Sequence, residues 1–310
     1  MVVHIFTIME GYFDCSKVGQ DLFPVSKITT IPIIDIFAGP GGLGEGFSSY
    51  SANNHHPFQI QLSIEKDTYA HETLRLRSFF RQFPPGKAPA LYYEALQQKF
   101  PLKELSARLK EKSDTLWLKW KQATEEALHA ELGGTEVTHK TISNKITAAL
   151  RDKNKFWVLI GGPPCQAYSL AGRVRNRGIK NYRIEDDQRS TLYLEYLQII
   201  AEHRPAIFVM ENVKGMLSAT LENQKLFQKI LADLRNPPSA KSKLSYRVLP
   251  VVATDEIDSY KENDPRQFIV ACEKYGVPQQ RHRVILVGIR EDLGQAKQCH
   301  ALYDREHRKW

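Results

Sequence analysis

Apolar residues recur along this chain in two rhythms. Short, largely β-branched runs lie at Ile31 to Ala38, Phe58 to Glu65, Phe156 to Gly161, Ala206 to Glu211, Tyr246 to Thr254 and Arg283 to Ile289. Longer stretches with helical spacing lie at Asp67 to Phe83, Thr191 to His203, Leu221 to Leu234 and Arg266 to Tyr275. Short apolar runs bounded by turn residues predict buried strands. Their alternation with helical stretches predicts βαβ units, hence an α/β fold with a mostly parallel, doubly wound sheet. The stretch from Asp67 opens on an acid and carries bases in its later turns, the polarity that a helix dipole favours. Between Pro84 and Asp152 the pattern changes. A Lys/Glu-rich section around Leu102 to Leu132 keeps a helical spacing but is broken by Pro84-Pro85-Gly86, Pro101 and Gly133-Gly134, which predicts a helical insertion over about 84–152.

Two of the predicted strands end in loops with chemistry in them. The first continues as Phe37-Ala38-Gly39-Pro40-Gly41-Gly42, with further glycines at 44 and 46. Glycines allow a sharp turn and close approach of backbone to a ligand, and the helix start that follows offers free amides. The next strand ends on Glu65, an acid placed to accept the hydroxyls of a ribose. No G-x-x-x-x-G-K-[ST] phosphate loop occurs, so a nucleoside without a triphosphate suits this turn. The second loop is Gly161-Gly162-Pro163-Pro164-Cys165-Gln166. A lone cysteine is commonly a small buried hydrophobe. Here two prolines stiffen its approach and a basic run follows, Arg173, Arg175, Arg177, Lys180 and Arg183. Nearby arginines favour the reactive thiolate. Two readings fit that run, a solvated loop and a loop that closes on phosphates.

Composition narrows the setting. The 310 residues are 42% hydrophobic and 25% charged, enough for one large domain with a sizeable core. A formal net charge of +8 points to a polyanionic partner such as nucleic acid. The four cysteines, Cys15, Cys165, Cys272 and Cys299, form no Cys-x-x-Cys pair, so neither a disulfide framework nor a metal site is predicted. The N-terminal apolar stretch is interrupted by His4, stops at Glu10 and has no basic leader, and no run is long enough to span a membrane. A reduced, cytoplasmic location without membrane contact is the expectation.

Taken in order, Phe37-Ala38-Gly39-Pro40-Gly41-Gly42, Gly162-Pro163-Pro164-Cys165-Gln166, Glu211-Asn212-Val213 and Tyr275-Gly276-Val277-Pro278-Gln279-Gln280-Arg281-His282-Arg283 resemble the motifs of the cytosine-5 DNA methyltransferases. Asp187-Gln188-Arg189 with Leu192-Tyr193 resembles the segment that this family places before its Glu-Asn-Val strand. The likeness runs from about residue 31 to about residue 291, outside the insertion. It implies a Rossmann-like fold dependent on S-adenosyl-L-methionine, with an N-terminal extension over 1–30 and the catalytic domain over 31–310. It implies cofactor contacts at Phe37, Ala38, Gly39, Gly41, Gly42, Glu65 and Pro164. By the same resemblance Cys165 is the nucleophile that adds to carbon 6 of a flipped cytosine, so that carbon 5 can take the methyl group. Glu211 then acts at ring nitrogen 3, its pKa raised by burial at a strand end. Arg281 and Arg283 polarise the base carbonyl and support the Cys165 loop. Gln166, Ser169, Arg173, Arg175 and Gln279 are the implied DNA contacts.

The resemblance has departures. Tyr168 stands where the family usually has phenylalanine, and the acid that meets the adenine amine after the third strand has two candidates, Glu136 and Asp152. The family continues into a target-recognition domain and a closing helix, for which the residues after Arg290 are too few. The expectation is therefore a double-stranded DNA methyltransferase of a bacterial restriction or defence system, with a cognate nuclease and a separate recognition subunit as partners. Three readings stay open: that enzyme, an RNA cytosine-5 methyltransferase on the same fold, and a split or non-catalytic subunit inactive alone.

Overall fold

The computed structural model describes residues 30–51, 55–151, 156–164, 192–218, 220–221, 224–238, 244–251 and 264–293. Five parallel strands form the centre: β1 (Ile31–Ile36), β2 (Phe58–Glu65), β3 (Ala127–His129), β4 (Val158–Gly161) and β5 (Ile207–Val213). Two two-residue strands, β6 (Thr220–Leu221) and β7 (Gln224–Lys225), pair with each other away from the main sheet. Strand β8 (Tyr246–Pro250), β9 (Ile269–Ala271) and the long β10 (His282–Arg290) complete the set, and β10 runs antiparallel to β5, β8 and β9. The order across the sheet is β3-β2-β1-β4-β5-β10-β8. From β1 the chain first winds outwards to β2 and β3, then returns to fill β4 and β5 on the other side. The crossovers therefore leave β1 and β4 in opposite directions and open a crevice above their C-terminal ends. Both chemistry-bearing loops start there.

Alternation along the strands builds a core on each face. Ile34, Ile36, Leu62, Ile64 and Leu159 join helices α6 (His139–Leu150), α7 (Leu192–His203) and α8 (Leu226–Arg235) on one side. Ile33, Phe58, Ile60, Val158, Ile160 and Val209 pack on the other with Phe47 of α1 (Gly42–Ser48). The strands depart from perfect alternation at one place, a register shift between Ile33 and Ile34 against β2.

Helix α2 (Thr68–Arg81) begins where the pattern predicts, its N-cap Asp67 accepting from the Ala70 amide at 2.8 Å. Helices α3 (Ala90–Leu96), α4 (Leu105–Lys112) and α5 (Asp114–Glu126) follow. They pack on α2 around a separate apolar cluster that includes Phe79, Tyr92, Leu105, Leu109 and Trp120. The stretch read from the sequence as a helical insertion, 84–152, contains α3 to α5. Its later part does not stand apart from the sheet, because β3 joins β2 and α6 buries Ile142 and Ile146 in the main core. Two further expectations are corrected. Arg266 to Tyr275 is no helix: it forms two short 3-10 turns around β9, because Ile269 to Ala271 pair with the free half of β10. The helix predicted from Leu221 starts at Leu226, the preceding residues being taken by β6 and β7.

Candidate active site

The glycine turn is shaped by its neighbours as much as by its glycines. Leaving β1, Phe37 takes a left-handed φ of 55° and Ala38 donates its N–H to the Ile64 carbonyl at 3.0 Å. Gly39 donates to Oε2 of Glu65 at 2.7 Å, while Oε1 of the same carboxylate accepts from the Asp67 amide at 2.7 Å. Glu65 therefore latches the turn to the end of β2, and each of its oxygens keeps a further lone pair for a ligand. Gly41 is the N-cap of α1 at φ 86°, and a Cβ there would meet Leu74 Cδ1 at 2.8 Å. A side chain at this position would be both strained and obstructed.

Phe37, Ile64, Glu65, Lys66, Ala130, Glu131, Leu132, Gly162, Pro164 and Leu192 line a cleft containing about 430 Å³ of space open to solvent. Its lining combines apolar groups, Phe37, Ile64, Leu132 and Pro164, with two carboxylates, Glu65 and Glu131, a combination that can hold a nucleoside. The second carboxylate, Glu131, was not foreseen. It follows β3, whose three residues align with Ser63, Ile64 and Glu65 of β2. His71 of α2 donates from Nε2 to the Ala127 carbonyl at 2.9 Å, and His129 donates to the Lys66 carbonyl at 2.9 Å. Lys66 also bonds Glu131 Oε1 at 2.7 Å. Glu136, one of the two acids named for this position, is exposed and does not line the cleft; β3 ends at His129, well before it. Asp152 lies outside the described residues. An acid two residues past a three-residue strand leaves little trace in a sequence, since Ala127 to His129 is too short to show a period.

Strand β5 brings up the second half of the site. Pairing with β10 sets Arg283 opposite Val213 and Ile285 opposite Glu211. Arg283 and Glu211 therefore share a face, with Nε 2.8 Å from Glu211 Oε1. Arg283 also donates from a terminal nitrogen to the His282 carbonyl at 2.8 Å. Arg281 stands further off, at 3.8 Å from the same carboxylate oxygen. Glu211 is not sealed in as expected: its side chain is 29% exposed and is engaged by a guanidinium, not enclosed by apolar groups. Gly162 joins the two halves. It lines the cleft, and a Cβ on it would lie 3.1 Å from Glu211 Oε2, a tight contact that would push the acid aside by a few tenths of an ångström. Buried Asn212, also unforeseen as a site residue, donates from Nδ2 to the Pro163 carbonyl at 3.3 Å and pins the Pro-Pro segment. Gln279 sits on the exposed turn before β10. Cys165, Gln166, Ser169, Arg173 and Arg175 lie outside the described residues, Cys165 directly following Pro164 in the chain.

Beneath the glycine turn, Asp35 of β1 is fully buried and neither of its oxygens has a hydrogen-bond partner among the described groups. Burial pushes its pKa up to about 8, opposed by the positive charge of Arg81 and reinforced by Glu65 and Glu126. At neutral pH this carboxyl is held mostly in its uncharged form. Among the described residues no helix is long and apolar enough to cross a membrane.

A crevice at the β1/β4 reversal thus brings a glycine turn latched to an acid, a Pro-Pro loop and a carboxylate facing arginine to one end of an α/β sheet. Residues 116–309 match the C-5 cytosine-specific DNA methylases, and the chain belongs to that family. Over 272 residues it is 29% identical to the type II methyltransferase M.Bpa9945I of Bacillus paralicheniformis, covering 84% of this chain and 54% of that protein. Over 137 residues it is 32% identical to the DNA-cytosine methyltransferase of Escherichia coli K12, covering 44% of this chain and 25% of the other. The chain thus spans about half the length, or less, of these curated relatives. A solved methyltransferase structure from Entamoeba histolytica superposes with a TM-score of 0.43 at 14% identity, over 87% of this chain and 55% of that one.

Proposed function

We propose that this chain carries the methyl-transfer site of a DNA cytosine-5 methyltransferase. The observation that carries the reading is the position of Gly162, a wall of the nucleoside-shaped cleft on one side and a close neighbour of Glu211 on the other. Methyl donor and target base would then meet at the loop that leads into Cys165.

S-Adenosyl-L-methionine, when bound, supplies an electrophilic methyl group. Its holders are Phe37, Ala38, Gly39, Gly41, Gly42, Glu65 and Pro164, to which Glu131 and Leu132 are added. Glu65 would offer its free lone pairs to ribose hydroxyls, Glu131 would accept from the exocyclic amine, and Phe37 and Leu132 would supply apolar contact to the base. The Cys165 thiolate attacks carbon 6 of cytosine, which turns carbon 5 into a nucleophile; later loss of the carbon 5 proton restores the double bond and expels the thiolate. Glu211, held in place by Arg283, would act in its protonated form: it donates its proton to ring nitrogen 3 as negative charge develops there and takes it back when the thiolate is expelled. Asn212 keeps Pro163 and Pro164 fixed, so Cys165 starts from a stiff support. Gln166, Ser169, Arg173, Arg175 and Gln279 contact the DNA, consistent with the chain's excess positive charge. The type II methyltransferases among the relatives support a restriction-modification setting.

The test incubates the full chain with S-adenosylmethionine and duplex DNA of mixed sequence containing 5-fluorocytosine. A denaturation-resistant protein–DNA adduct that disappears in Cys165→Ser, with cofactor binding retained, is the expected result. An adduct that persists in Cys165→Ser removes the nucleophile assignment, and methylation of transfer RNA in place of DNA moves the substrate to RNA.

A further inference from the structure

We propose that Arg81, which does not line the cleft, is a positioning residue for cofactor binding. Its guanidinium couples the glycine turn to the opposite wall of the cleft. One terminal nitrogen pairs with Glu45 of α1, the helix that the glycine turn starts. The other pairs with Glu126, the last residue of α5 and the residue immediately before β3. All three side chains are largely buried, at 16% exposure for Arg81, 30% for Glu45 and 19% for Glu126. A planar fork with two carboxylates on two different elements sets the distance between those elements in a way that a single point charge does not.

The rest of α2 acts at the same junction. With 3.6 residues per turn, His71, Leu74, Ser78 and Arg81 fall on one stripe of the helix. His71 holds the Ala127 carbonyl at the start of β3. Leu74 is buried in a small cluster with Ala38 of the turn and Ala127 of β3, and it occupies the space beside Gly41. The stripe thus contacts both walls, through an apolar plug at one level and an ionic brace at another. Glu126 shows the dependence on Arg81 most directly: burial pushes its pKa up, and the adjacent guanidinium is the main influence opposing that. Removing Arg81 would leave a poorly hydrated carboxylate without its counter-charge and free β3, with Glu131 beyond it, to move against the turn.

This inference rests on the reading of the cleft as a cofactor site. The experiment measures binding of S-adenosylhomocysteine by calorimetry to the full chain and to Arg81→Lys, Arg81→Met and Glu126→Gln, with amide hydrogen exchange on each. Arg81→Lys is expected to stay folded, to bind ~10-fold more weakly and to exchange faster at 39–44 and 127–132, with β5 and β10 unchanged. Glu126→Gln removes the buried charge without removing the bulk, and is expected to lose less affinity than Arg81→Met. Wild-type affinity in the folded fraction of both Arg81 variants overturns the proposal, even if their thermal midpoints fall, since loss of stability alone would leave that affinity intact. Failure of the wild-type chain to bind S-adenosylhomocysteine overturns the reading of the cleft itself, and the proposal with it.

Discussion

At Glu211 the proposed chemistry depends on a contact between strands distant in sequence. Its carboxylate is oriented by Arg283 at 2.8 Å and faces Gly162 across the loop. Glu211→Gln keeps the shape and loses the transferable proton, so single-turnover methylation should slow ~100-fold while S-adenosylhomocysteine affinity stays near wild type. Asn212→Ala would leave the Pro163 carbonyl without one of its donors and loosen the Pro-Pro segment. A stability loss of ~1–3 kcal/mol in urea unfolding is expected, together with slower adduct formation. Asp35 gives a pH signature. Its folded pKa of about 8 lies above the ordinary carboxylate value of 3.8, so folding holds a proton that the unfolded chain releases. Stability from this residue is therefore fully present below pH ~4, falls as pH rises towards 8, and is lost no further above that. Asp35→Asn should flatten this part of the curve in thermal melts run from pH 4 to 9. The residues carrying motifs were legible from the sequence, because glycine, proline and cysteine at strand ends have few structural reasons to cluster. Glu131 was not, since nothing in a three-residue strand announces that an acid beyond it will line the same cleft as Glu65.

Among the elements, the pattern located β2 to the residue and the start of α2 to within one, where runs are long and Asp67 supplies a cap. It failed where tertiary pairing overrode local spacing. Arg266 to Tyr275 has helical periodicity, yet β10 offers an unpaired edge and the chain takes it as β9. It also merged β3 and α6 with the charged segment before them. The three helices between α2 and β3 carry their own core, in which Trp120 packs edge-on to Phe79 at 5.4 Å between ring centroids, under the Arg75 guanidinium. Trp120→Ala should cost ~3–5 kcal/mol of stability within that cluster. Amide exchange should then rise across 90–126 while the central strands stay protected, which would show the helices to be a locally cooperative unit.

Across the whole molecule, the order of strands in the sheet differs from their order in the chain. Strand β10 lies between β5 and β8, so the apolar run Ile207 to Met210 has no neighbour on that side until residues 282–290 arrive. On a ribosome, β8 emerges before the strand it pairs with, and only its packing on α8 and on Phe208 is available to it. The cofactor-side strands β1 to β4 can assemble early, but β5 stays an open, apolar edge with Glu211 lacking its guanidinium. A released chain ending before residue 282 would therefore be poised for edge-to-edge aggregation, whereas one ending after residue 290 would not. Released truncated chains of the two lengths, compared by sedimentation, would separate these outcomes. The strand that brings Arg283 to the acid is thus also the one whose late arrival sets how long the growing chain needs protection from its neighbours.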